Sequence, residues 1–159
     1  LGNGNSRTWV YVEEVRVAGG FYQQSIDAFA LHLWPSKNQL RVAYEVKASR
    51  SDLKRELDKP EKAKAAIDLS NQFYLVAPPA VLSGGIMDSF PAAWGVMTFG
   101  PTEPPTLLND AAPPARLTII RRASYSPTPP PGYDFMLSLA RNLQARADGS
   151  TTVFREEEE

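Results

Sequence analysis

Alternation of apolar and polar positions marks the strands of this chain more clearly than its helices. In "LRVAYEVKA" (40–48), Leu40, Val42, Tyr44 and Val46 fall at every second position, the period of a strand with one buried face. "SIDAFALHLW" (25–34) is apolar on both faces, as a strand inside a sheet must be. The turn residues "PSKNQ" between these segments join them as a hairpin. "QFYLVA" (72–77) is another buried strand, stopped by Pro78 and Pro79. "WGVMTF" (94–99) and "ARLTIIRRA" (115–123) read as two more. "RTWVYVEEVRV" (7–17) is ambiguous: its Val and Tyr content favours a strand, while Trp9, Val12 and Val15 or Val17 loosely fit a helix. The "AGGF" that follows breaks it.

Helices are signalled by their ends. Ser49 has the chemistry of an N-cap, with Asp52 three residues on as a capping-box variant, so a short helix runs to about Asp58. Pro60 suits the first turn of a second helix over 60–70. "YDFMLSLARNLQAR" (133–146) has the spacing of an amphipathic C-terminal helix. Twelve of the fourteen prolines lie at or after position 78, so 101–115 and 126–132 are expected to be extended connectors rather than helices. "SGG" (83–85) is a turn and no phosphate loop, since no lysine follows at the required spacing. Residues 1–6 hold no apolar anchor and are expected to be flexible. No internal repeat is evident, and 159 residues suffice for one domain spanning 1–159 with a core over about 7–123.

Composition changes this picture only at the margins. The absence of cysteine excludes disulfides, thiolate metal sites and cysteine nucleophiles, and points to a reducing, cytoplasmic compartment. No apolar run approaches the ~18 residues that cross a bilayer, so no membrane association is expected. "LGNGNSRTW" lacks the apolar stretch of a signal peptide, and Leu1 in place of Met suggests a trimmed or processed chain. Net charge is −1, but residues 41–64 hold eight Arg and Lys against five Asp and Glu, and the acidic tail (155–159) ends in four glutamates. The body is locally basic. A solvated helix face explains that as readily as a nucleic-acid partner does.

The chemistry concentrates at the end of the 40–48 strand. Glu45 and Lys47 share one of its faces, and the hairpin brings Asp27, near the start of the partner strand, close to residues 45–48. Two carboxylates with no cysteine and no histidine cluster make a hard, oxygen-rich site, which selects Mg²⁺ or Mn²⁺ over zinc. A lysine beside them can orient or deprotonate a water, or neutralise a phosphoryl transition state. The structural alternative is a buried ion pair of Lys47 with Asp27 or Glu45. His32, the only histidine, reads as a satisfied or partly exposed strand residue, and Trp9, Trp34 and Trp94 as core or rim.

The segments "SIDAFAL", "RVAYEVKASRSDLKREL" and "KPEKAKAAIDLSNQFYLVAP" together resemble the PD-(D/E)XK nuclease superfamily over roughly residues 9–99. They are most similar to a group of small phage and bacterial proteins, with the MmcB-like DNA-repair proteins as more distant members. The resemblance implies an α/β, restriction-endonuclease-like fold with a central mixed β-sheet flanked by helices. It also implies a divalent-metal-dependent deoxyribonuclease of phage or bacterial DNA processing or repair. Asp27 matches the metal-binding aspartate, Glu45 the second acidic ligand and Lys47 the catalytic lysine, with the backbone carbonyl of Val46 as a further metal ligand. Many members add an acid from a first helix; Glu14, rather than Glu13, matches it, which turns 7–17 toward helix. Ser25 stands where relatives often carry Arg, and the Pro-Asp of the superfamily's name and a Gln-x-x-x-Tyr helix motif are both absent. Arg50, Lys54, Lys59, Lys62 and Lys64 are the candidates for DNA-backbone contacts. Many members work as dimers or larger rings, so a homo-oligomer is among the expectations, and the Pro-rich and acidic C-terminal segments are candidate sites for a protein partner. The alternative function is a module on the same fold that holds DNA or a repair partner without cutting.

Overall fold

The structure, a computed structural model, describes residues 8–17, 24–101 and 115–147. The expectations for residues 1–6, for the break after position 17, for most of the 101–115 connector and for the acidic tail lie outside them. Six strands form one sheet: β1 (Trp9–Val17), β2 (Gln24–His32), β3 (Arg41–Val46), β4 (Gln72–Ala77), β5 (Gly95–Pro101) and β6 (Ala115–Arg121). They lie side by side in chain order. β1, β2 and β3 are antiparallel, β3, β4 and β5 run parallel, and β6 returns antiparallel to β5. Parallel neighbours need a crossover. Between β3 and β4 it is made by α1 (Arg50–Asp58) and α2 (Lys64–Leu69), and between β4 and β5 by α3 (Pro79–Leu82) and a 3-10 turn at Ile86–Ser89. A last helix, α4 (Tyr133–Ala147), packs against β1. The chain therefore has an α/β fold with a central mixed sheet.

One correction concerns the first segment. Residues 9–17 form a strand, not the helix that the resemblance favoured. Val10, Tyr11, Val12, Val15 and Val17 have the branched and aromatic side chains that suit a pleated surface, and the whole segment finds a partner in β2. The second helix is also shorter than expected. It opens as a 3-10 turn over Pro60–Ala63, and only Lys64–Leu69 is α-helical.

The two sheet faces are covered differently. Leu53 of α1, Ala66 of α2, Val81 and Leu82 of α3, and Phe135 and Leu139 of α4 all join one cluster with Phe29, Ala43, Phe73, Leu75 and Val96. The opposite face carries a smaller cluster, Ala30, Val42, Tyr74, Val76 and Met97, whose one buried member from outside the strands is Ala123. The segment after β6 crosses this side. Ser126 N–H donates to the Asn71 carbonyl at 2.8 Å. The buried Arg41 guanidinium donates to the carbonyls of Thr128 and Pro129 at 2.8 and 2.7 Å. Gly95 is required where this face is tightest: a Cβ there would stand 2.3 Å from the Tyr74 ring, a collision no rotamer adjustment of a buried tyrosine absorbs cheaply. His32 is buried, its Nδ1 accepting the Trp34 N–H at 3.2 Å and its ring meeting that of Trp9 edge to face. Trp94 is buried in the core and Trp34 is half exposed.

Candidate active site

The site begins with an irregularity in the β1–β2 hairpin. Pairing runs from Trp9↔His32 to Glu13↔Ala28 and resumes at Val15↔Ile26, so Glu14 and Asp27 are the unpaired positions opposite one another. Val12 and Val15 are both buried in the helix-side cluster, as are Phe29 and Ile26. Residues three apart on a regular strand point to opposite faces, so both strands change face at Glu14 and Asp27. Glu14 makes this turn with φ of 52°, a left-handed conformation costing a non-glycine residue about 1–2 kcal/mol. Strand β2 also leaves β3 at this point: their pairing ends at Ala28↔Tyr44.

Asp27 fills the gap so opened. Its Oδ2 accepts the Val46 backbone N–H at 2.7 Å, a contact the hairpin spacing had placed near residues 45–48. In the parallel ladder it is Val76 that bonds to β3 here, with the Lys47 N–H donating to its carbonyl at 2.9 Å. The N–H of Val46 therefore faces away from β4 and toward Asp27. A strand residue's C=O points the same way as its N–H, so the Val46 carbonyl opens to this gap as well.

Glu45 and Lys47 follow on the helix side of the sheet. Lys47 Nζ lies 2.6 Å from Glu45 Oε1 and 3.0 Å from Glu56 Oε2. The structural alternative drawn from the sequence is thus present for Glu45, and Asp27 forms no ion pair with Lys47. Glu56, on α1, was missed. It is one of five buried polar or charged residues among those described. A signal existed: Glu56 lies three residues after Leu53, on the face that buries this leucine. Helix α1 is placed for this contact by its cap, Ser49 Oγ accepting the Asp52 N–H at 3.2 Å.

The electrostatics are those of a crowded acidic site. Burial is the main force pushing the Glu45 carboxyl above its usual range; the Lys47 hydrogen bond pulls it down, while the charges of Asp27 and Glu56 push it further up. For Lys47, burial pulls down, but hydrogen bonds and attraction from Glu45 and Glu56 outweigh it and leave the amine above its ordinary value. Lys47 is therefore an ammonium at neutral pH. With all four groups ionised, one ammonium faces three carboxylates. Among the described residues no three His, Cys, Asp or Glu side chains are arranged to hold a metal by themselves. The donor set that remains is Asp27, Glu45 and the Val46 carbonyl, which fits Mg²⁺ or Mn²⁺ with water completing the shell.

Two predictions arise here. Deprotonated Glu45 is needed to bind a cation, so Mn²⁺ affinity should fall with decreasing pH at a midpoint above the ~4.3 of free glutamate. Glu56→Gln removes one repelling charge and should move that midpoint down; a calorimetric titration across pH reads both. Glu45's own effect on stability has the sign of a raised carboxyl: it is favourable below the unfolded pKa and lost as pH rises through the folded one. The second prediction concerns strain. Glu14→Gly should raise stability by up to ~1 kcal/mol in urea denaturation, because relief of the left-handed φ exceeds glycine's entropic cost. A loss instead would mean that the Glu14 side chain makes a stabilising contact that outweighs the strain.

The basic residues divide. Arg50 and Lys54 line an open concavity beside Gly84 and Gly85. Lys59, Lys62 and Lys64 lie beyond the far end of α1, and Lys64 is paired with Asp68 at 2.6 Å.

No protein family's sequence profile matches the chain, and no curated protein matches it. Among solved structures, a protein of unknown function from Silicibacter pomeroyi is similar at 20% identity, over 96% of this chain and 89% of its own, with a TM-score of 0.55. That likeness is one of fold: the α/β arrangement described above is shared with a bacterial protein whose own activity is unknown.

Proposed function

We propose that the chain is a divalent-metal-dependent deoxyribonuclease of the PD-(D/E)XK type, acting in phage or bacterial DNA processing or repair in the cytoplasm. The observation that carries this reading is the surplus negative charge at the end of β3. Glu45 and Glu56 share the single ammonium of Lys47, the charge of Asp27 bears on Glu45, and a strand carbonyl opens toward the gap that Asp27 fills. Leaving such charge half buried is costly unless a cation offsets it. Asp27, Glu45 and the Val46 carbonyl would hold Mg²⁺ or Mn²⁺, which supplies a water of lowered pKa and polarises the phosphodiester. Asp27 is kept in place by its bond to Val46 N–H. Lys47, charged at neutral pH, has no free lone pair with which to act as a base; its role is to offset negative charge developing on the phosphoryl oxygens. Glu56 positions Lys47 from the helix side, independently of Glu45. Glu14 stands opposite Asp27 across the β1–β2 pairing and is the further acid that the resemblance implies.

The double ion pair of Lys47 is the observation that favours the second reading, a non-cleaving DNA-binding or repair-partner module on the same fold, in which the lysine is structural. A cleavage panel decides between them. Labelled linear, circular, single-stranded and branched DNA is incubated with Mg²⁺, Mn²⁺ or a chelator. Metal-dependent products lost in Asp27→Asn support the nuclease. Binding without products at any metal concentration supports the module.

A further inference from the structure

We propose that the concavity between α1 and the turn after α3 is a phosphate-binding subsite for the substrate strand. The proposal rests on the nuclease reading for what carries the phosphate, and on the structure for the site itself. The concavity has a volume of about 400 Å³ and is lined by Arg50, Lys54, Gly84, Gly85 and Ser89, with Leu57 and Ile86 as its apolar wall and Asp58 contributing one opposing charge. Arg50 and Lys54 sit four residues apart, on one face of the helix. Neither forms an ion pair among the described residues. Several other cations are engaged: Arg55 with Asp52, Lys64 with Asp68, Arg146 with Glu13, Lys47 with two glutamates, and Arg41 and Arg121 with backbone carbonyls.

The turn is shaped to receive the guanidinium. Gly84 and Gly85 have φ of 69° and 74°, a pair of left-handed residues that only glycine adopts without strain. The guanidinium of Arg50 lies against the open side of Gly84, where a Cβ would meet Nη2 at 3.2 Å. Ser89, from the following turn, adds a hydroxyl to the wall. A planar double donor, an ammonium and a hydroxyl around an open depression suit a phosphate oxyanion better than an apolar or cationic ligand.

Position links the depression to the candidate active site. Strands β3 and β4 are parallel and end at the same edge of the sheet. Helix α1 begins three residues after Lys47 and α3 two residues after Ala77, so both walls of the depression spring from the edge that carries the carboxylates. Ligands of open α/β sheets bind beyond the carboxyl ends of such strands. A strand whose scissile phosphate lies at Asp27 and Glu45 can thus place another phosphate against Arg50 and Lys54.

The test uses the full chain in two arms. In the first, inorganic phosphate is titrated while the amide resonances of Gly84 and Gly85 are followed by NMR. Saturable shifts are expected, and Arg50→Gln/Lys54→Gln should abolish them. In the second, fluorescence anisotropy with chelator present measures binding of duplexes ending in 5′-phosphate or 5′-hydroxyl across a salt series. Each phosphate contact on a duplex contributes about 0.9 to the slope of log K against log[salt], so the double variant should flatten it by up to ~2 and weaken binding at least tenfold at low salt. Equal loss on both ends assigns the site to an internal phosphate; loss confined to the 5′-phosphate duplex assigns it to a terminal one. Unchanged amides, or an unchanged slope in the double variant, overturn the subsite, and if wild type still cleaves, the nuclease reading stands without it. If wild type neither binds nor cuts any DNA yet the amides shift with phosphate, the nuclease reading fails and the anion site remains.

Discussion

Lys47→Met is expected to abolish cleavage and to destabilise the protein as well. A lysine that only neutralises a phosphoryl transition state could be lost without harm to the fold. The ion pair with Glu56 changes that expectation. Glu56 is 6% exposed and has no other cation within bonding distance among the described residues. Removing its partner leaves a buried carboxylate without its counter-charge, which costs about 3–5 kcal/mol when one member of a buried pair is deleted. Lys47→Met/Glu56→Gln removes the stranded charge and should recover most of that stability without recovering activity. Urea denaturation and a cleavage assay on both variants separate the two roles. Cleavage by Lys47→Met at the wild-type rate, with stability lost, would sink the catalytic role and leave Lys47 as a structural cation. The pair's pH dependence has the sign of a raised lysine: its stabilisation is present below the ~10.4 of free lysine and is lost as pH rises through the higher folded value.

Asp27→Asn and Asp27→Ala should part company. Asparagine keeps an oxygen that can accept the Val46 N–H but gives up the charge. It should leave the melting temperature near wild type, lower Mn²⁺ affinity by at least tenfold and reduce cleavage by several orders of magnitude. Alanine also gives up the hydrogen bond, just where β2 has parted from β3, and should cost a further ~1–2 kcal/mol of stability. Isothermal titration with Mn²⁺ and thermal melts on the two variants make the comparison. Undiminished metal affinity in Asp27→Asn would move the metal away from this carboxylate.

Much of the sheet could be read directly from the chain. β4 is buried on both faces, so it appears as an unbroken apolar run, and its bounds, 72–77, are those expected. Ser49 marks the start of α1 because the cap is a local bond between a side chain and a backbone three residues on. Residues 9–17 were obscured for a physical reason. The face change at Glu14 places Val12 and Val15 on one side, three apart, a spacing that mimics a helix while the backbone is extended. α3 and the turn at 86–89 are four residues each, too short to show any period. At the site, Asp27, Glu45 and Lys47 were legible because a hairpin fixes their proximity. Glu56 was harder to read: its spacing from Leu53 puts it on the buried face of α1, but its partner depends on how α1 docks across the sheet.

The buried Arg41 bears on where this protein can be cut. No carboxylate pairs with it among the described residues. Its guanidinium is satisfied by the Thr128 and Pro129 carbonyls and by Asn71 Oδ1, and Asn71 in turn donates to the Ser126 carbonyl. A fragment ending after β6 would keep all six strands yet leave a permanently charged group facing an empty channel. The smallest unit that folds on its own therefore extends at least through Pro129, past the point where the sheet is complete. The proline-rich stretch after β6 is part of that unit rather than a tether that can be trimmed.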